Sequence, residues 1–248
     1  MSVAGRAAMT LPGATVNVLP DGEGVARAAA QQLRSLGGAT DRLDIALAGG
    51  STPRRLYELL ADPPPQGSTD WSHWHIWFGD ERAVPPADRA SNYRLARETL
   101  LSRVAIPRAQ VHRMAADEPD LEVAARLYDD ELLRAVPKRV DAMPRLDVVL
   151  LGLGEDGHTA SLFPGDAALE VRDRACVPAR APRPPHRRLT LTLPVLNAAR
   201  QVIFLVTGAA KGEALRGVRA GTVPAARVRA PSGQVLWLLD EAAAEGLR

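Results

Sequence analysis

Short apolar runs that alternate with helix-like segments constrain the fold of this chain more than any other feature. Residues 44–48 and 146–151 are apolar almost throughout, as strands buried on both faces are. Between such runs, apolar residues recur at helical spacing, as over residues 24–36. This alternation predicts an α/β fold in which a mostly parallel sheet carries helices on both faces.

The predicted strands and helices follow from this periodicity and from the glycines and prolines that interrupt it. Strands are predicted at residues 16–19, 44–48, 74–78, 146–151, 189–193, 202–207 and 235–239, and helices at 24–36, 53–60, 91–101, 121–136 and 209–218, with a short helix at the end. Gly37 and Gly38 are predicted to end the first helix. The second is predicted to begin with Thr52 as N-cap and Pro53 at the first helical position. Alternating Leu and Thr over 189–193 indicate a half-exposed strand.

The size and charge of the chain limit its class. A length of 248 residues with 46% hydrophobic residues favours one domain, expected over residues 15–248 after a flexible lead-in over residues 1–14. Lys and Arg number 31 against 29 Asp and Glu, so the net charge of +2 provides little general attraction to nucleic acid or membrane. Any affinity for anions must therefore come from local sites.

The remaining bulk features point to the cytoplasm. The single cysteine, Cys176, cannot form an internal disulfide and is expected to be a small buried hydrophobe. No stretch approaches the roughly 20 apolar residues of a membrane span. The first residues lack the continuous apolar region of a signal peptide. A cytoplasmic protein with no membrane partner is expected.

Four unusual polar segments follow directly on four predicted strands. They are residues 49–52 (GGST), 79–82 (GDER), 152–158 (GLGEDGH) and 208–211 (GAAK). In a parallel sheet, ligands bind beyond the carboxyl ends of the strands. All four segments are therefore expected to meet at one edge, and this convergence is stronger evidence for a site than any one motif.

The segment from Gly49 to Thr52 has the features of an anion site. Gly49 and Gly50 allow close approach of the backbone to a ligand, and Ser51 and Thr52 add hydroxyl groups at a helix start, where the dipole favours negative charge. Lys211, near another helix start, would add a cation for a phosphate. The alternatives are an ordinary capped turn and a solvated surface lysine.

The glycines of residues 152–158 match the spacing of a dinucleotide-binding fingerprint, but that interpretation is rejected. The fingerprint requires a long helix, and Pro164 follows too soon. Acidic residues in the turn would also repel a pyrophosphate. Gly154 and Gly157 instead indicate a tight loop that presents Glu155, Asp156 and His158.

His158 is the best candidate for proton transfer, because histidine changes its charge near neutral pH. Asp156 or Glu155 could hold its imidazole in one tautomer. The alternative is a histidine that merely caps a turn.

Asp80, Glu81 and Arg82 place both signs of charge at another strand end. Arg82 could stabilise an oxyanion, and the carboxylates could accept hydrogen bonds from sugar hydroxyls or orient water. The alternative is a weak local ion pair. The acids and histidines are not at metal-ligand spacing, so no metal is assigned. The Pro/Arg-rich segment at 179–188 is interpreted as a solvated loop, and it lacks the aromatic residues of a nucleic-acid patch.

Several blocks in this chain resemble the 6-phosphogluconolactonases. They are residues 47–53 (LAGGSTP), 77–85 (WFGDERAVP), 91–93 (SNY) and 150–164 (LLGLGEDGHTASLFP), with 188–192 (RLTLT) and 208–211 (GAAK) as later blocks. The similarity runs in order from about residue 15 to residue 240. The block that contains His158 is long and specific.

The resemblance implies a modified Rossmann-like domain and hydrolysis of 6-phospho-D-glucono-1,5-lactone in the oxidative pentose phosphate pathway. No cofactor and no obligate protein partner are implied. By position, His158 would activate water. Ser51, Arg188 and Lys211 would bind the phosphate with the backbone of Gly49 and Gly50, and Asp80, Glu81 and Arg82 would line the ring end. Arg187 is the alternative to Arg188.

Three rival functions remain open. Glucosamine-6-phosphate deaminases would share the phosphate site and the histidine loop, but resemble a Met-Asp-Glu-Tyr pattern where this chain has residues 79–82. A sensor that binds a phosphosugar without turnover would share the fold. A nucleic-acid protein that uses the Arg-rich loop is the third.

Overall fold

The computed structural model describes residues 10–63 and 68–248. In chain order, its strands and helices are β1 (Thr15–Leu19), α1 (Gly22–Gly37), β2 (Leu43–Leu47), α2 (Ser51–Ala61), β3 (Trp74–Phe78), β4 (Asp80–Arg82), α3 (Asn92–Ala96), α4 (Leu121–Ala135), β5 (Arg139–Val140), β6 (Met143–Pro144), β7 (Val148–Leu151), β8 (Cys176–Arg180), β9 (Arg187–Leu191), α5 (Leu193–Ala198), β10 (Gln201–Val206), α6 (Gly212–Ala220), β11 (Gln234–Asp240) and α7 (Glu241–Ala244). A π-helical turn, Arg97–Leu101, extends α3, and 3-10 turns include Ala167–Glu170 and Ala209–Lys211.

Six parallel strands form the central sheet, in the order β1-β11-β10-β7-β2-β3. Every residue of β2, β7 and β10 is buried, so both faces of the sheet are covered. The continuous apolar runs have this cause, because a strand covered on both faces has no solvent side for polar residues. The predicted fold class is confirmed.

Glycine at position 37 allows α1 to pack closely on the sheet. Asp21 is the N-cap of this helix, and its carboxylate accepts a hydrogen bond from the Gly24 amide at 2.8 Å. A Cβ on Gly37 would lie 2.5 Å from the Trp74 ring. Gly37 is the last helical residue and Gly38 is the C-cap, so the predicted end of this helix is confirmed.

The strand with alternating Leu and Thr differs from its prediction. It forms β9, the middle strand of a separate antiparallel sheet with the order β4-β9-β8, and Leu189, Thr190 and Leu191 are fully buried. The prediction of a half-exposed strand was wrong. The Thr190 hydroxyl donates to the Leu191 carbonyl at 3.0 Å and accepts from the Ser161 amide at 3.2 Å. A satisfied hydroxyl can be buried, so the polar residues do not mark a solvent face.

The N-cap predicted for α2 was also wrong. The helix begins at Ser51, and Gly50 is its N-cap with a φ of +116°. Glycine adopts this backbone conformation readily, so the chain turns into the helix before Thr52. The Thr52 hydroxyl instead lies 2.9 Å from the Thr207 hydroxyl, which links the turns that follow β2 and β10.

The first described residues pack against the core. Of the lead-in predicted over residues 1–14, residues 1–9 lie outside the described residues, and Leu11 is buried against the core. Cys176 is fully buried, as predicted, and burial raises the pKa of its thiol. Within the described part of the chain, no helix is both long enough and apolar enough to cross a bilayer.

Candidate active site

The four polar segments follow β2, β3, β7 and β10, which are parallel, so all four lie at the carboxyl edge of the sheet, as predicted. Two adjoining clefts open there, an outer one of about 930 Å³ and an inner one of about 220 Å³. The residues that line both clefts are Asp80, Arg82, Gly154, His158, Ala160 and Lys211. Three of the four segments therefore contribute to both clefts, and the segment after β2 contributes Gly49 to the inner one.

His158 is held by Asp156. Its Nδ1 lies 2.5 Å from Asp156 Oδ1, and its backbone amide donates to the same oxygen at 3.1 Å. A carboxylate only accepts, so Nδ1 donates, and in the neutral imidazole Nε2 then carries the lone pair. Nε2 has no hydrogen-bond partner among residues 10–63 and 68–248. Burial raises the pKa of Asp156, but the hydrogen bonds from His158 outweigh burial and hold that pKa below its ordinary value.

Two glycines shape the loop that carries this pair. A Cβ on Gly154 would lie 2.0 Å from His158 Nδ1 and 2.6 Å from Asp156 Oδ1. Gly157 has a φ of +78°, and a Cβ there would lie 2.4 Å from Val223. The next helical element is the 3-10 turn Ala167–Glu170, so no long helix follows the loop. The loop presents a side-chain pair, which agrees with the rejection of a dinucleotide site. Glu155 is exposed and lines the outer cleft.

Asp80 is buried and both of its carboxylate oxygens accept a hydrogen bond. Asn92 donates to Oδ1 at 3.0 Å, and the Ser161 hydroxyl donates to Oδ2 at 2.7 Å. Reasoning from residue types did not find Asn92 or Ser161. Both residues lie in motifs identified in the sequence, at 91–93 and 150–164, but neither Asn92 nor Ser161 was assigned a role.

Glu81 lines neither cleft. Its carboxylate accepts from the Ser91 hydroxyl at 3.0 Å and from the amides of Arg82, Asn92 and Tyr93 at 2.7 to 2.8 Å. Burial raises the pKa of Glu81, although these amides act in the opposite direction. Adjacent strand residues point to opposite faces, which explains why Asp80 reaches the clefts and Glu81 supports the start of α3.

Arg82 and Arg188 are opposite each other on β4 and β9. Arg82 donates to the Ala90 carbonyl at 2.6 Å, and Arg188 donates from Nε to the Pro185 carbonyl at 2.7 Å. Burial lowers the pKa of Arg188, and the charge of Arg82 lowers it further. Arg187 donates instead to a distant backbone carbonyl and lines neither cleft. Of the two arginines left open, the structure brings Arg188 to the site.

The segment after β2 reaches the site only in part. Gly49 lines the inner cleft, whereas Gly50, Ser51 and Thr52 are not on the wall of either cleft. Ser51 is exposed at the first position of α2. Lys211 ends the 3-10 turn after β10 and lines both clefts.

The Pro/Arg-rich loop forms one wall of the outer cleft, so its interpretation as a solvated loop was incomplete. Arg180 and Arg183 are exposed but line the cleft together with Arg82, Arg188 and Lys211. None of these five cations forms an ion pair within the described ranges. Of the four acids that line the outer cleft, Asp80, Asp156 and Asp166 already accept hydrogen bonds, and Glu155 is exposed. The cleft is therefore suited to an anionic ligand.

The donor set does not suggest a metal centre. Among residues 10–63 and 68–248, no three side chains of His, Cys, Asp or Glu come together as a metal ion would require.

Comparison with known proteins gives one family. The family model of glucosamine-6-phosphate isomerases/6-phosphogluconolactonase matches residues 22–237. A 6-phosphogluconolactonase of Synechocystis sp. is 43% identical over 208 residues, which cover 82% of this chain and 84% of the relative. A 6-phosphogluconolactonase of Homo sapiens is 42% identical over 215 residues, covering 84% of this chain and 82% of the relative.

A solved structure agrees with these matches. The 6-phosphogluconolactonase from Trypanosoma brucei superposes with a TM-score of 0.85 at 32% identity, covering 96% of this chain and 100% of that one. The predicted family is confirmed. This chain belongs to the glucosamine-6-phosphate isomerase/6-phosphogluconolactonase family.

Proposed function

We propose that this protein hydrolyses 6-phospho-D-glucono-1,5-lactone to 6-phospho-D-gluconate, in the oxidative pentose phosphate pathway, with water activated by His158. Relatives named 6-phosphogluconolactonase match most of the chain at about 40% identity. The observation that carries the proposal is the His158–Asp156 pair in a cleft lined by five cations without ion-pair partners.

His158 acts as the general base in this proposal. Asp156 holds the Nδ1 proton, so Nε2 accepts a proton from water as the water oxygen attacks the lactone carbonyl. The resulting imidazolium is stabilised by the Asp156 carboxylate. The proton then passes from Nε2 to the ring oxygen as the C1–O bond breaks. This sequence consumes one water and needs no covalent enzyme intermediate.

Cations on the cleft wall support this chemistry. Arg82 stabilises the negative charge that develops on the carbonyl oxygen during attack. Arg188 and Lys211 bind the phosphate, with the Gly49 backbone as a further ligand, whereas Gly50 and Ser51, which line neither cleft, are not assigned to it. The phosphate is then anchored so that the reacting carbonyl faces His158.

Asp80 and Glu81 have different roles in the proposed reaction. Asp80 lines both clefts, so its carboxylate is the acceptor we propose for sugar hydroxyls. Glu81 holds the start of α3 and acts on the site through the backbone. The proposed reaction uses only water and groups of this chain. We propose that it takes place in the cytoplasm.

The first experiment is hydrolysis of freshly generated lactone, corrected for its spontaneous rate. A general base contributes about 10²- to 10⁴-fold, so His158→Ala should lose that factor in kcat and keep weak activity. The matched control is His73→Ala, which removes a histidine next to β3 whose ring contacts the Gly37 carbonyl at the end of α1. Full turnover by His158→Ala would exclude this base. If folded wild-type protein did not hydrolyse the lactone but released ammonia from glucosamine 6-phosphate, the proposed lactonase activity would be wrong and the protein would be a deaminase.

A further inference from the structure

A second cleft, of about 400 Å³, opens at the opposite edge of the central sheet. It lies where β2, β7, β10 and β11 begin, and the C-terminal half of α1 forms another wall. The proposed lactonase mechanism uses none of its residues. We call it the amino-edge cleft and define it by Gln32, Arg145, Asp147, Arg200 and Gln201.

Two arginines line this cleft without a carboxylate partner. Arg145 donates from one terminal nitrogen to the Ser232 carbonyl at 2.6 Å, which holds its guanidinium at the wall. Arg200 is exposed and its side chain makes no hydrogen bond within residues 10–63 and 68–248. Neither arginine forms an ion pair in the described ranges. Both charges are therefore available to a ligand.

Gln201 adds a hydrogen-bond donor at the cleft wall. The residue is 7% exposed and its Oε1 accepts from Gln32 Nε2 at 3.3 Å. Its own Nε2 has no partner in the described part of the chain, and the side chain lines the cleft. Nε2 therefore meets solvent in the cleft, and an oxygen atom of a ligand at this position would accept its hydrogen bond in place of water.

The one acid among the lining residues is already neutralised. Asp147 accepts from the Lys138 ammonium at 2.8 Å and from the Asp44 amide at 3.1 Å. Its charge is compensated by Lys138, so the two arginines determine the sign of the potential in the cleft.

We propose that the amino-edge cleft binds a small phosphate- or carboxylate-bearing anion at a site separate from the proposed active site. Arg145 and Arg200 would bind the anionic group, and Gln201 would donate to one of its oxygens. The volume falls within the range of small-ligand sites, at its lower end. The ligand is therefore the size of a hydroxy acid or a sugar phosphate.

The test titrates 15N-labelled full-length protein with inorganic phosphate and, separately, with citrate, at constant ionic strength. Saturable shifts are expected at the backbone amides of Arg200, Gln201 and Gln234. They should persist in Lys211→Gln, which weakens binding at the proposed active site. Arg200→Gln should weaken these shifts at least tenfold, because it removes one charge from an exposed position and should not affect folding.

Two further variants complete the design. Gln201→Glu keeps the side-chain shape but replaces the donor with a repelling charge, so it should abolish the saturable shifts. Arg126→Gln is the matched control, since Arg126 is exposed on α4 outside the cleft and the change in charge is the same. Arg200→Gln should also retain wild-type lactone hydrolysis. Shifts that stay linear with concentration, or that are equal in wild type and Arg200→Gln, would overturn the proposal, whatever the result for lactone hydrolysis.

Discussion

Asn92 fills the space beside Gly49 that any side chain at position 49 would need. A Cβ on Gly49 would lie 1.9 Å from Asn92 Oδ1. The amide nitrogen of the same Asn92 donates to both the carbonyl and the carboxylate of Asp80, at 2.9 and 3.0 Å. One buried side chain therefore links the turn after β2 to the carboxylate that lines both clefts.

Gly49→Ala should damage stability and activity together. The methyl group would displace Asn92, which is 3% exposed, and with it the Asp80 carboxylate. Overpacking of this kind costs about 1–3 kcal/mol, measured as the loss in the free energy of unfolding by urea. Misplaced site groups cost about 10²-fold when the error approaches 1 Å, so we expect kcat/KM for the lactone to fall by about ten- to a hundredfold.

A double mutant separates the clash from the lost hydrogen bond. Adding Asn92→Ala to Gly49→Ala removes the clash and should recover part of the stability, but Asp80 still lacks its donor, so activity should stay low. Wild-type stability and kcat/KM in Gly49→Ala alone would show that Asn92 can move without consequence.

Gly154→Ala should reproduce much of the loss caused by removing the base. Its methyl group would lie 2.0 Å from His158 Nδ1, so the imidazole and Asp156 could not keep their contact. We expect kcat to fall by about 10²-fold, the lower end of the contribution of a general base. Gly38→Ala is the control, because Gly38 lines neither cleft, has a φ of −71°, and would bring a Cβ no closer than 3.5 Å to the Arg34 carbonyl. Equal kcat values for the two variants would contradict the proposed importance of the loop geometry.

Arg188→Gln and Arg187→Gln should differ although the residues are adjacent. Arg188 lines the outer cleft, whereas Arg187 donates to the Pro119 carbonyl away from it. A hydrogen bond to a charged group is worth about 1.5–3 kcal/mol, so Arg188→Gln should lower kcat/KM by about ten- to a hundredfold. Arg187→Gln should change it less than about threefold, as expected of a surface substitution. Steady-state kinetics on the lactone measures both effects. A larger loss of kcat/KM in Arg187→Gln than in Arg188→Gln would place the phosphate site at Arg187.

Asp156 should make stability depend on pH at the acid end. Its pKa is depressed in the folded protein: burial raises it, but the hydrogen bonds from His158 lower it more. A depressed carboxyl pKa stabilises the fold above the unfolded value, about 3.9 for Asp, and this contribution is lost as the pH falls through the lower folded value. Urea unfolding of wild type and Asp156→Asn should therefore differ at pH 6, and this difference should shrink as the pH falls below the unfolded value of about 3.9.

The control for this series is Asp173→Asn, which removes an exposed carboxylate that makes no hydrogen bond in the described residues. It should give parallel stability curves across the whole range. If the difference in unfolding free energy between wild type and Asp156→Asn grew as the pH fell, the pKa of Asp156 would be raised rather than lowered in the folded protein.

The sequence by itself determined the parallel sheet and the edge at which the site lies. Strands buried on both faces must be apolar throughout, so β2, β7 and β10 are visible as continuous runs. Because parallel strands end at the same edge, the polar segments after them had to converge. His158 was identifiable for the same reason, since glycines place it in a loop at a strand end.

Only the tertiary structure decided which neighbouring side chain enters the clefts. Asp80 and Glu81, like Arg187 and Arg188, alternate across strands, and the face that meets the site depends on the pairing of β4 with β9, which are far apart in the chain. The same pairing buries the Leu and Thr residues of β9. Asn92 and Ser161 were not assigned because their function is a hydrogen bond to a distant carboxylate. Local periodicity carries no information about such contacts, which exist only once the chain has folded.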